Sequence, residues 1–295
     1  MSRPAVPLKG EQTPRTVVVS GGTDGMGRAV ALGRAALGET VIVLGSNAEK
    51  GERLLHESTR LDLPGVIEFQ RVDLSSLGET RAVIQRIAAH HDVVDALALF
   101  ANRQAPRRTV TADGLEQVFA VYYLSRYLLS YGLSPLLRRS HSPVIVNVAG
   151  VGTTKGRLHW DDLQLEADYG MVAAQLQAAR ANDLLGVMFA AQPHNPVPYV
   201  LYHPGFTKSG DLAPLRPAVR VMLRALATLA ARPVGRAVAP IHRFIEEPPQ
   251  APLSAIDRHK RVALSLKTLN PADADRLAAA TRAILAAHEG TVQSG

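Results

Sequence analysis

A chain of 295 residues, 46% of them hydrophobic, can bury one large α/β core or two small ones and reads as a soluble globule. Its formal charge of +7 suits an anionic ligand or a membrane surface, but no dense Lys/Arg run is present and aromatics are only 5%, so nucleic acid is not an expected partner. The absence of cysteine excludes disulfides, thiolate nucleophiles and cysteine-bound zinc, and it fits a reducing compartment, with the cytoplasm as the expected location.

Residues 1–14 (MSRPAVPLKGEQTP) are polar, contain proline and lack an apolar core of signal-peptide length, so a disordered leader is expected. No later run reaches the roughly 20 apolar residues that span a bilayer. Short β-branched runs then follow at Thr16–Ser20, Thr40–Leu44, Val66–Gln70, Ala96–Ala101, Val144–Val148 and Val197–Tyr202, with helical periodicity between them. Strand, helix and strand repeated in this way require right-handed crossovers and a parallel sheet covered on both faces. The expected fold is α/β, a Rossmann-type doubly wound sheet in one domain over 15–295, with a helical C-terminal elaboration. After about residue 210 proline rises and strand signals thin. Residues 215–236 place Arg216, Arg220, Arg224, Arg232 and Arg236 among apolar residues without an acid. A substrate lid within 210–250 is the expected role, and membrane contact by this basic amphipathic stretch is the less favoured alternative.

The stretch VVVSGGTDGMGRAV (17–30) runs from an apolar strand through a glycine turn into a helix. Gly21 permits the tight turn, Gly25 lets backbone approach a phosphate, and Gly27 lets helix and strand pack closely, with Thr23 and Met26 in the same turn. Backbone N–H groups and the helix dipole at such a turn favour a diphosphate. An acid at the end of the second strand would bond the ribose of NAD, but that strand ends in Gly45, Ser46 and Asn47. Ser46 and Asn47 can instead hydrogen-bond a 2′-phosphate, which favours NADP(H) over NAD(H), with Asp24 in the turn opposing. The pair Asp161-Asp162 has no partners at ligand spacing, so a solvated turn and no metal are expected.

With the glycine turn, the runs Val72-Asp73-Leu74-Ser75, Asp95-Ala96-Leu97, Thr111-Ala112-Asp113-Gly114, Val144-Ile145-Val146-Asn147-Val148 and His203-Pro204-Gly205 stand in an order and spacing that resemble the short-chain dehydrogenase/reductase family, and within it the retinol-dehydrogenase-like branch. The resemblance covers roughly residues 15–210. It implies a nicotinamide dinucleotide with Asp73 and Leu74 beside the adenine, and Pro204, Gly205 and Thr207 at the nicotinamide end. Ala101 and Asn102 stand in the segment Leu99-Phe100-Ala101-Asn102, where the family usually has Asn-Asn-Ala-Gly, and are also expected to line the cofactor.

The family's chemistry uses a tyrosine acid/base, a lysine four residues later, a serine and an asparagine. Ala181-Asn182-Asp183-Leu184-Leu185 resembles the segment just after the lysine. That register puts Gln175 at the tyrosine position, Ala179 at the lysine, Gly150 at the serine and Tyr122 at the asparagine. None of the seven tyrosines has a lysine four residues on. Gln175 cannot exchange a proton near neutrality and Gly150 offers no hydroxyl. Tyr122 is the first candidate for a replacement donor, followed by Tyr169 and His159. His203 reads as a satisfied structural histidine. The resemblance therefore implies an atypical enzyme acting on a hydrophobic small molecule, in specialised metabolism, by hydride transfer without the usual Tyr-Lys pair. The alternatives are a non-redox cyclase or isomerase on the same fold and a nucleotide-binding pseudoenzyme. Family resemblance also suggests a homo-oligomer.

Overall fold

In a computed structural model the chain is described over residues 14–205 and 234–292. All six expected strands are present: β1 (Thr16–Ser20), β2 (Thr40–Gly45), β3 (Val66–Arg71), β4 (Ala96–Leu99), β5 (Val144–Val148) and β6 (Tyr199–His203). Two more, β7 (Leu253–Asp257) and the two-residue β8 (Lys260–Arg261), extend the sheet beyond the point where the sequence signal thins. The order is β3-β2-β1-β4-β5-β6-β7-β8, parallel throughout except for the β7–β8 hairpin. Chain order reverses at β1, where the next strand crosses to the other side and leaves a crevice at the strand C-termini.

Continuous apolar runs such as Val17-Val18-Val19 suit a sheet buried on both faces, and these three side chains have no exposure. Alternation divides them: Val18, Leu97, Ile145 and Leu201 pack on one face, Val17, Val19, Val146 and Val200 on the other. The first face is covered by α3 (Leu77–His90), by the run α4 (Gln117–Phe119), a π-helical turn (Ala120–Leu124) and α5 (Ser125–Gly132), and by α7 (Met171–Ala190); the short α6 (Ser134–Leu137) follows α5. The second is covered by α1 (Gly25–Ala35), α2 (Ala48–Arg60) and α8 (Val234–Glu246). A last helix, α9 (Pro271–Val292), packs along α7, with Leu277 buried and Thr281 sharing a buried hydrogen bond with Tyr123 at 2.7 Å.

The expected leader lies almost wholly outside the described residues, as do Thr207, Arg216, Arg220, Arg224 and Arg232. Of the expected 210–250 lid, residues 234–250 are described. Ala237, Val238, Ile241 and Ile245 of α8 are buried against α1 and the sheet, because an apolar stripe at helical spacing completes the second layer. Among the described residues no helix is long and apolar enough to cross a membrane, and no group of three or more His, Cys, Asp or Glu could hold a metal ion.

Candidate functional site

A cleft of about 640 Å³ opens over the C-terminal ends of β1, β2, β4, β5 and β6. Its first wall is the glycine turn. Gly21 has φ +70°, and a Cβ there would stand 2.7 Å from the Ala101 amide nitrogen. A Cβ on Gly27 would stand 2.3 Å from the Gly21 carbonyl oxygen, so α1 approaches the turn as only glycine allows. Asp24 caps α1 by accepting the Gly25 N–H at 2.7 Å. The Met26 and Gly27 N–H groups have no partner among the described residues and remain for an anion at the positive end of the helix. Thr23, Gly25 and Met26 line the same wall.

Past β2, Gly45, Ser46 and Asn47 line the cleft. The Asn47 side-chain oxygen is committed to capping α2, accepting the Lys50 N–H at 2.8 Å. That cap turns Lys50 into the cleft wall, where its ammonium lies 2.5 Å from Asp24. Burial pushes the Asp24 carboxyl up, but the Lys50 and Gly25 hydrogen bonds, with the Lys50 and Arg28 charges, outweigh it and hold the group below the usual carboxylate value. Asp73 and Leu74 close this end; Asp73 Oδ1 accepts from the Ser75 amide at 2.9 Å and hydroxyl at 2.7 Å.

The other end is lined by Ala101, Asn102, Val148, Ala149, Pro204 and Gly205, with Tyr122 from the π-helical turn. Such turns insert one extra residue and often mark functional sites. The Tyr122 hydroxyl makes no hydrogen bond among the described residues, and its ring lies under the Arg126 guanidinium at 4.6 Å. Burial raises the Tyr122 phenol above its ordinary value, against the opposing charge of Arg126. Arg126 is itself fully buried, donating to Asn147 Oδ1, to Val148 O at 2.9 Å and to Ala101 O at 2.8 Å. Burial lowers it to about 10, and no carboxylate pairs with it among the described residues. Asn147 also donates to Asn182 at 2.9 Å and to the Tyr199 hydroxyl at 2.8 Å. Asn182 in turn donates to the Tyr122 carbonyl at 2.7 Å, which fixes the turn against α7.

Gly150 and Ala179 face each other: a Cβ on Gly150 would lie 3.4 Å from that of Ala179. Gln175, one turn before Ala179, accepts from Asn102 at 3.1 Å and donates to the Arg103 carbonyl at 2.6 Å, so its amide braces the loop after β4. Tyr169 joins Tyr122 in an apolar cluster with Ala105, Val118, Leu165 and Ala174. Its hydroxyl donates to the Ala105 carbonyl at 2.7 Å, and burial, then Glu116, push it up to about 12. The phenol is therefore committed to the backbone. His159 does not reach the cleft: it lines a separate shallow depression with Arg157, Val172 and Leu176, because the 151–170 loop turns it outward. His203, read from sequence as structural, lines the cleft and places Nδ1 2.9 Å from Asp257 Oδ1.

Three participants escaped the sequence reading. Lys50 follows from the α2 cap, a signal present in Asn47-Ala48-Glu49-Lys50. Arg126 sits four residues after Tyr122, a spacing visible in the chain. Asp257 had no local signal, since its strand is defined by pairing with β6 and β8.

Residues 15–161 match the short chain dehydrogenase family. The chain is 32% identical over 171 residues to human polyprenol dehydrogenase, covering 57% of this chain and 52% of that protein. It spans 52% to 65% of the length of the first curated relatives it matches. Among solved structures, an uncharacterised protein from Mycobacterium paratuberculosis superposes with TM-score 0.64 at 24% identity over 92% of each chain. The Pseudomonas aeruginosa RhlG/NADP active-site complex superposes with TM-score 0.62 at 20% identity, covering 83% of this chain and 95% of that one. These likenesses show the fold.

Proposed function

We propose that this chain, whose residues 15–161 match the short chain dehydrogenase family, binds NADP(H) and reduces an activated carbon of a hydrophobic small molecule without a Tyr-Lys acid/base pair. The observation that carries this reading is one continuous cleft from the glycine turn, past Ser46 and Lys50, to the Tyr122 side chain. The residues fit a dinucleotide. Added Cβ atoms at Gly21 and Gly27 would fill the cradle, two helix N–H groups await an anion, and Lys50 stands where a 2′-phosphate would follow Ser46. RhlG, of the same fold, is solved with NADP.

When bound, the reduced nicotinamide supplies hydride, and a polarised acceptor needs little acid from the protein. The chain's own contributions are binding and orientation. Gly21, Gly25 and Gly27 hold the diphosphate, and Asp73 and Leu74 enclose the adenine. Pro204 and Gly205 border the nicotinamide end. Tyr122 donates a hydrogen bond to the acceptor oxygen, and the buried Arg126 charge behind its ring favours negative charge developing there. The apolar cluster around Tyr122, with Ala149, Ala174 and Ala178, favours a hydrophobic substrate; the relative that acts on polyprenols is consistent with that class.

Isothermal titration with NADPH and NADH tests the cofactor, and NADPH oxidation in the presence of apolar carbonyl compounds tests the reaction. Tighter binding of NADH overturns the phosphate assignment. No binding of either nucleotide overturns the function.

A further inference from the structure

Proton supply is the part of the reaction that the described cleft leaves unassigned. Gln175 and Ala179 cannot provide it, Tyr169 is bonded to backbone, and burial makes Tyr122 a poor proton exchanger near neutrality. One further titratable side chain lines the same cleft, His203, and it is paired with Asp257. His203 ends β6 and Asp257 ends β7, and the two stand opposite each other in the parallel register. Along β6, Tyr199 and Leu201 pack on the face covered by α7, while Val200 and Tyr202 pack on the face covered by α8. Strand alternation therefore carries His203 to the α7 face, the one that holds Tyr122 and Gly150. Asp257 lies beside the loop after β5: a Cβ on Gly152 would stand 3.3 Å from the Asp257 Cβ.

The geometry points to His203 and Asp257 as the proton-transfer dyad of this site, acting at the nicotinamide end on the oxygen of a carbonyl substrate. Asp257 Oδ1, an acceptor at 2.9 Å, fixes the proton on His203 Nδ1, so Nε2 is the atom that gives or takes a proton. Imidazole is the side chain whose charge change lies near neutrality, and a carboxylate on one nitrogen is the usual way to orient the other. The charged groups around Asp257 are Arg258, whose Nε is 3.7 Å from the same carboxylate oxygen, and Lys260, opposite in the β7–β8 register. The Gly150–Gly152 segment brings no charge. In reduction, the carbonyl carbon receives the hydride with its two electrons from the reduced nicotinamide. The C=O π pair moves to oxygen, which takes the Nε2 proton of the imidazolium, and neutral His203 regains a proton from water. Alcohol oxidation runs the same steps in reverse.

This inference rests on the NADP(H) reading, and the experiment separates their failures. The His203 imidazole of the full chain is titrated by NMR without nucleotide, with NADPH and with NADP⁺, in wild type and Asp257→Asn. The oxidised ring carries a positive charge beside His203, so its midpoint falls in NADP⁺ relative to NADPH. Asp257→Asn changes the nucleotide-free His203 ring resonances, because the carboxylate that holds the Nδ1 proton at 2.9 Å is gone. Equal midpoints in the two complexes, or no response to Asp257→Asn, overturn the dyad and leave the cofactor reading standing. Absence of binding by either nucleotide overturns both. In the kinetic arm, His203→Gln slows NADPH oxidation by 9,10-phenanthrenequinone about tenfold or more, within the range of general acid help. NADPH affinity stays within about twofold of wild type. A His203→Gln rate equal to wild type overturns the assignment.

Discussion

Substituting Gly27 by alanine tests the diphosphate cradle at its tightest point. The added Cβ would stand 2.3 Å from the Gly21 carbonyl oxygen and 3.0 Å from both the Gly21 carbonyl carbon and the Gly22 Cα, all backbone atoms with no flexible end to yield. Restoring an ordinary contact moves the turn or α1 by about 1 Å. Overpacking of this kind costs about 1–3 kcal/mol of stability, or roughly 2–10 °C in Tm for a domain of this size. Affinity falls further, because the Met26 and Gly27 N–H groups and the turn no longer face the phosphate together. Losing the better part of two charge-assisted hydrogen bonds, about 3 kcal/mol, raises the NADPH Kd roughly a hundredfold. The control is Gly78→Ala in the first turn of α3, where the nearest atom to the new Cβ is Ser76 Oγ at 3.8 Å and neither stability nor affinity should fall. Thermal unfolding and isothermal titration read both effects. A Gly27→Ala protein with wild-type Tm and an NADPH Kd within twofold of wild type would refute the assignment of this turn.

Lys50→Ala removes the cation beside Ser46 and leaves Asp24 unpaired, so NADPH binding weakens about 10–100-fold while NADH binding does not weaken; equal losses for the two nucleotides would exclude a 2′-phosphate role. Tyr122→Phe keeps the ring under Arg126 and deletes only the hydroxyl, so turnover falls about tenfold at unchanged NADPH affinity; unchanged turnover removes Tyr122 from the mechanism. Asp183 is buried on α7 beside Arg180, and desolvation raises it to about 7 against the Arg180 charge. Its folded value exceeds the unfolded one, so the folded state holds the extra proton between about pH 4 and 7, and stability falls as pH rises through that window, by up to about 4 kcal/mol. Asp183→Asn abolishes that slope in urea unfolding followed from pH 5 to 8, and an unchanged slope would locate the titration elsewhere.

The glycine-turn half of the cleft was legible because its requirements are local. A strand of three valines, a glycine wherever a Cβ would strike backbone, and a helix opening within five residues of the strand end are all written contiguously between Val17 and Val30. The sheet was legible for the same reason as far as β6, whose run is apolar on both faces. β7 was not, because Leu253–Asp257 mixes Ser254 and Asp257 into an edge region where pairing with Tyr199–His203 and the short β8, not local pattern, defines a strand. Arg236 ends the basic stretch from which a lid is expected, and nothing local says that the apolar stripe just after it, with Val238, Ile241 and Ile245, packs against α1 and the sheet.

The reacting end follows the same logic. Sequence register drew attention to Gln175, Ala179 and Gly150, but it could not show that both groups of the Gln175 amide are spent on Asn102 and Arg103, which closes the loop after β4 over α7. Nor could it show which histidine matters. His159 lies in the segment that sequence favoured, yet a loop lets it turn outward, while His203 is held by strand register, and strand register is what delivers Asp257 to it from 54 residues away. A group that must meet a reacting atom within a few tenths of an ångström is better placed by a sheet edge than by a long loop. On that ground the proton-transfer burden falls on the ends of β6 and β7, even though no short motif in the chain announces it.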